Sequence, residues 1–192
     1  MTGSPAHASR TPRPVATGQA SDLIHSLMRY KMWADAQLME TVLALPALVT
    51  APEGPYVTAI IRHFHTADCV FMAHLLGVAH EYTSSNPSEP ATLAELQSRV
   101  AAIDEWYVKY TRSLDANDLG QALQVTFTDG QEQVLTRSDI LLHVSLHGAY
   151  HRGNVGILLK KCGSEPPPDR FTTYLREQFE VSPPQHRANR LG

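Results

Sequence analysis

Residues 141–161 read LLHVSLHGAYHRGNVGILLKK, with His143, His147 and His151 recurring at every fourth position. On an α-helix a step of four turns the side chain by only about 40°, so the three imidazoles form one stripe. Ile140, Val144, Val155 and Leu158 fall on the same stripe. The spacing therefore predicts a helix whose histidines sit in the middle of a core-facing surface. Two histidines one turn apart can share a metal ion, as in zinc-binding H-x-x-x-H helices. All three cannot, because eight residues climb about 12 Å. A metal site here needs a further ligand from another helix. The plainer alternative is a set of core histidines bonded to their neighbours.

Working outward, Thr136 to Asp139 opens this helix, and Gly163 with Pro166 to Pro168 closes it. Upstream, Gln124 to Thr136 carries Asp129-Gly130 between short alternating runs, a β-hairpin signal. Further upstream, Thr92 and Glu95 form a capping box for a helix reaching Leu114. Its buried row is Leu96, Val100, Ile103 and Tyr107, with Trp106 beside it. A preceding helix spans Tyr56 to Leu76 and stops at Gly77. Val57, Ile60, Ile61, Phe64, Phe71, Met72 and Leu75 make its apolar face. His63 and His74 lie at one border of that face, His65 at the other and Asp68 inside it. The first helix runs from Asp22 to Leu45, with a stripe of Leu23, Leu27, Tyr30, Trp33, Leu38, Val42 and Leu45, and Pro46 as its stop. Val49 to Pro55 and Val78 to Ala91 read as loops. A short helix from Asp169 to Phe179 ends the domain.

Four long amphipathic helices predict an all-α four-helix bundle over residues 21–180, with a small hairpin before the fourth helix and a short C-terminal helix. The long links around the third helix allow crossovers. Residues 1–20, rich in Pro, Ser, Thr, Ala and Gly, read as a disordered leader, and 181–192 as a polar tail.

Composition narrows the function. A net charge of -3 and a pI near 6.3 argue against coating nucleic acid. Two cysteines, Cys69 and Cys162, stand far apart outside any C-x-x-C, which fits a reducing cytoplasm. No apolar run is long enough for a bilayer, and no secretory signal core is visible. The 10 histidines are many for 192 residues.

The second helix is the best supplier of a third ligand. His63 and His65 lie about 200° apart on it, so only one can face the site well. His74 shares the side of His63 but lies about three turns away. Asp68, Tyr150 and Arg152 are candidates for proton transfer or substrate orientation. Each has a structural alternative: an ion pair for Asp68, packing for Tyr150, an interhelical or dimer salt bridge for Arg152. Gly148 follows His147 where a zinc protease of H-E-x-x-H type needs its glutamate, so that class is excluded. The cysteines lack an adjacent base and read as packing thiols. Gly148, Gly153 and Gly156 cost about 1 kcal/mol each in a helix, so close helix approach or room near a ligand must justify them.

The segments IIRHFHTADCVFMAHLLG and HVSLHGAYHRGNVGILLKKCGSEPPPD resemble the two signature regions of the DinB/YfiT-like metal-dependent proteins. His63, Asp68 and Phe71 match the first pattern, with Phe71 where Trp is common. His147, His151, Arg152 and Gly153 match H-x-x-x-H-R-G, with Asn154 where Gln is usual. Tyr30 to Asp35 resembles the family's Tyr…Trp-Ala-Asn segment, and Asp169 with Tyr174-Leu175 its close. The likeness extends from Asp22 to Phe179. It implies one divalent ion, zinc or nickel foremost, on His63, His147 and His151, with His65 in reserve and His143 packing beside them. It implies homodimers as well. By analogy with relatives it implies a metal-dependent transferase acting with a low-molecular-weight thiol on a small-molecule substrate. The alternatives are a hydrolase using metal-activated water and a non-catalytic metal-binding stress protein.

Overall fold

The computed structural model describes residues 17–180. The expected tail and residues 1–16 of the expected leader lie outside this range. Residues 17–20, read from sequence as leader, instead begin α1, Thr17–Leu43. Once a helix is held by tertiary packing, extending it through residues such as Gln19 and Ala20 needs no new nucleus. The helix stops short of Pro46, and Pro46–Val49 forms one 3₁₀ turn that buries Leu48.

Helix α2, Gly54–Leu76, starts two residues earlier than expected. A Cβ on Gly54 would stand 2.3 Å from the Leu48 carbonyl oxygen, so the turn and the helix start can close only on glycine. Gly77 ends the helix in the left-handed conformation, φ 68°. Helix α3, Leu93–Arg112, carries the expected Thr92–Glu95 capping box. A five-residue helix that sequence patterning missed, α4 (Ala116–Gly120), follows behind an Asp115 cap. The hairpin pairs β1 (Ala122–Thr126) with β2 (Glu132–Thr136) antiparallel, Gln124 opposite Val134. Thr136, the last residue of β2, also caps α5, Arg137–Lys161, through a full capping box with Asp139. Helix α6 is Phe171–Glu180.

α1 packs on α3 and α5, and α2 packs on the same two. Consecutive helices α1 and α2 are thus diagonal in a four-helix bundle, with the hairpin and α4 bridging α3 to α5. Two apolar clusters fill it. One gathers Met28, Phe71, Ile103, Tyr107, Ile140 and Val144. The other gathers Leu38, Ile61, Phe64, Val100, Val155 and Leu159. Between them every helix turns polar, at Lys31 and Asp35, Asp68, Asp104 and Arg152, all buried. An aromatic cluster of Tyr30, Trp33, Phe171 and Tyr174 docks α6 on α1.

Two sequence expectations are corrected. Leu23, placed on the α1 stripe, is 56% exposed, and the buried row runs instead through Ile24, Met28, Lys31, Asp35, Leu38 and Val42. The α5 histidines border the core-facing surface rather than occupying its middle: His143 is exposed, and His147 and His151 are half-buried. The centre of that surface belongs to Val144, Gly148, Arg152, Val155 and Leu159, a row turned by roughly a quarter circle from the imidazoles at 100° per residue.

Candidate metal centre

The α2–α5 contact brings His63 against the α5 stripe. The ring centroid of His63 lies 5.1 Å from that of His147 and 4.6 Å from that of His151. One ligating nitrogen from each of the three lies within 4.8 Å of the others. The Nε2 atoms of His147 and His151 are 3.1 Å apart. Two nitrogens bound tetrahedrally at about 2.0–2.1 Å from one ion would be separated by about 3.3 Å, so the pair is already close to coordination spacing.

The tautomer of His63 is fixed from behind. Its Nδ1–H donates to the Ser85 carbonyl at 3.0 Å, which leaves Nε2 with its lone pair free. Ser85 belongs to the α2–α3 connection, so that loop acts as the outer support of the centre. Burial, then repulsion from the neighbouring imidazoles His151 and His63 whenever they take up protons, pulls His147 down to about 3. Burial, then His63, also lowers His151. Both are neutral bases at neutral pH. The three imidazoles thus turn ring nitrogens toward one spot, and the cluster contains no carboxylate. At most one proton can bridge His147 and His151, and Nδ1 of His151 is buried without a partner. A soft-to-borderline divalent cation is the group such a donor set fits. All three residues are half-buried.

Among the described residues no fourth side chain joins the group. His143 stacks on His147 at 5.4 Å between centroids and packs on Phe71 at 4.8 Å, a wall rather than a ligand. His65, the reserve ligand, is turned away: it is buried, its Nε2 lies 3.6 Å from the Cys69 sulfur, and burial lowers it to about 4. Burial also raises the Cys69 thiol. The three residues considered for proton transfer separate in space. Tyr150 is exposed, with its ring edge-on to His151 at 5.1 Å. Asp68 and Arg152 belong to the buried polar layer.

That layer underlies the centre. Lys31 Nζ lies 2.8 Å from Asp35 Oδ2, 2.7 Å from Asp68 Oδ2 and 2.5 Å from Asp104 Oδ1. Arg152 donates to Asp35 at 2.8 Å and to Asp169 at 2.8 Å, and Asp169 accepts from the Tyr30 hydroxyl. A Cβ on Gly148 would stand 3.0 Å from Arg152 Nη1 and 3.5 Å from Lys31 Cε, so glycine next to His147 makes room for both cations. Burial opposes the Lys31 charge, yet the three carboxylates hold its pKa well above the ordinary value. Burial pushes Asp68 up to about 6 and Asp104 well above the usual carboxylate range. Asp68 makes no aligned hydrogen bond from either oxygen, and its contact with Lys31 is electrostatic. Lys31 and Asp104 escaped the sequence reading. The available signal was a charge at core spacing: Lys31 stands three after Met28, Asp104 four after Val100.

The DinB family model matches residues 18–187. The chain belongs to the DinB family. Protein DinB of Bacillus subtilis (strain 168) is 25% identical over 165 residues, which cover 81% of this chain and 95% of that relative. No solved structure gives a significant match. Within this DinB-family chain, the matched region contains all three imidazoles of the centre and the whole polar layer. No helix among the described residues is long and apolar enough to cross a membrane.

Proposed function

We propose that His63, His147 and His151 hold one divalent ion, zinc or nickel, and that the centre serves transfer of a small thiol to an electrophilic substrate. The observation that carries this reading is the convergence of three imidazoles from two helices with no acid among them. Such an ion supplies Lewis acidity that favours the thiolate form of a bound thiol or activates water. The chain's own residues do the rest. Ser85 orients His63, and the Phe71–His143 wall shields one flank of His147. Tyr150 overhangs His151 at the exposed edge, placed to contact substrate.

The test is twofold. Elemental analysis of protein purified without chelator should give about one ion per chain, lost in His147→Ala. A panel of low-molecular-weight thiols with a model electrophile should then show turnover that chelation removes. Stoichiometric metal with no turnover on any thiol, but hydrolysis of an activated ester, would favour the hydrolase alternative. Stoichiometric metal with neither activity would favour a binding protein of the stress-response kind. Absence of bound metal would overturn the centre itself.

A further inference from the structure

We infer that a cavity on the side of the bundle opposite the histidine centre is a binding site for an organic cation with an apolar body. Because α1 and α2 each pack on both α3 and α5, the α1–α3 seam lies across the bundle from the α2–α5 seam that gathers the histidines. The cavity opens in that α1–α3 seam, with α6 along its side, and has a volume of about 810 Å³. Small-molecule sites usually occupy about 300–1,000 Å³. Two helical rows explain the hollow. On α1, Met32, Ala36 and Glu40 follow one another at steps of four, and on α3 so do Gln97, Ala101 and Glu105. Steps of four keep side chains on one face, so each row has an alanine in its middle where a longer side chain would fill the space.

The lining selects the ligand. Met39, Val100 and Tyr174, all buried, form an apolar base, with Met32 and Trp33 beside them. Methionine adapts to irregular apolar shapes, and an indole face attracts a cation. The indole is held in place: its Nε1–H donates to Glu177 at 2.9 Å, and its ring centroid lies 5.9 Å from that of Tyr174. Three acids line the cavity, Glu40, Asp104 and Glu105, against one base, Arg29. Arg29 is engaged, donating from Nη2 to Gln178 at 3.0 Å. Asp104 is buried and paired with Lys31. Glu40 and Glu105 are exposed and make no ion pair among the described residues. They give the mouth a negative charge that an ammonium or phosphonium group answers and an anion does not. A bare inorganic ion would gain nothing from the apolar base, so the ligand carries apolar surface as well as its charge.

Isothermal titration calorimetry of the full chain with tetraphenylphosphonium tests this, with tetraphenylborate, of the same shape and opposite charge, as its counterpart. The cation should bind at one site per chain, at least tenfold more tightly than the anion. The paired change Glu40→Gln, Glu105→Gln should weaken the cation at least tenfold and narrow its lead over the anion. Ala101→Trp fills the hollow from an exposed position and should abolish binding, with circular dichroism confirming that the fold is kept. Chelation with EDTA should leave the affinity unchanged, because the histidine centre takes no part. Absence of saturable binding up to about 1 mM overturns the inference. So does equal or tighter binding of the anion, or an affinity that either variant leaves untouched. A second copy covering the seam, seen in sedimentation velocity as a dimer that the cation competes with, overturns it too.

Discussion

Replacing Lys31 with methionine tests the reading of the polar layer most directly. Methionine matches the length of the lysine stem but removes the ammonium that Asp35, Asp68 and Asp104 surround at 2.5–2.8 Å. Arg152 still serves Asp35. Asp68 and Asp104 lose their only ion-pair partner among the described contacts. Removing one member of a buried ion pair typically costs about 3–5 kcal/mol, because the remaining charge is stranded. The layer can relieve part of this by taking up protons, since burial already lifts Asp68 to about 6 and Asp104 well above the usual carboxylate range. The sign follows. A carboxyl whose folded-state pKa is raised binds protons more tightly in the folded chain, so its favourable contribution is present at low pH and is lost as pH rises through the raised value. The Lys31→Met penalty should therefore be about 3–5 kcal/mol at pH 7.5, a large part of a domain's usual total of about 5–15 kcal/mol. It should shrink toward pH 5, where the stranded carboxyls are neutral. Urea denaturation of parent and variant, followed by circular dichroism at both pH values, measures the difference. Lys31 is among the lesser charges that lower His65 and His147, so histidine titration cancels only in part, and the remainder also shrinks the penalty toward low pH. A variant within about 0.5 kcal/mol of the parent, near the scatter of ordinary surface substitutions, or a penalty that does not change with pH, would refute the account.

Other outcomes follow from the same geometry. His63→Ala and His151→Ala should each lower the bound metal per chain as His147→Ala does, whereas His65→Ala should not, as elemental analysis will show. Chelation should lower the thermal midpoint of the parent and leave His147→Ala unmoved, because an ion that binds only the folded state stabilises it. Burial and its neighbouring imidazoles pull His147 down to about 3, so metal-free parent protein should lose stability relative to metal-free His147→Ala as pH falls below about 6.5, the ordinary histidine value. Parallel denaturation series from pH 7 to 4.5 would expose a flat difference, which would contradict the burial of that ring. Gly148→Ala forces a methyl to 3.0 Å from Arg152 Nη1 and should destabilise by about 1–3 kcal/mol, read from chemical denaturation.

The bundle was legible in the sequence because apolar spacing is a local property. Thr92–Glu95, Gly77 and Asp129-Gly130 mark boundaries that the structure keeps within a few residues. The gathering of His63 with His147 and His151 was legible only through resemblance, since helix angles alone left His65 open. What escaped has a common cause. Lys31 and Asp104 are charges on apolar rows, and their meeting depends on how α1 and α3 face each other, which no single-helix pattern encodes. The early start of α1 prolongs a helix that needs no new nucleus, and the short α4 is held by a local aspartate cap, so propensity carries little information at either. The histidines stand at the border of the inward line because Val144, Gly148, Arg152, Val155 and Leu159 fill it, a quarter turn that periodicity alone does not resolve.

The aspartates around Lys31 also act as an alignment key for the bundle. Leucine and valine surfaces tolerate sliding, since one apolar neighbour serves nearly as well as another. A one-turn slip of α1 moves its side chains about 5.4 Å along the axis. Lys31 would then be carried toward Ile61 and Val100 or toward Phe71 and Ile103, away from Asp68 and Asp104, while Asp35, moving with it, would leave Arg152. The four helices therefore have a single vertical setting at which their charges meet. That setting also fixes the height of α2 against α5 and hence the level at which His63 faces His147 and His151.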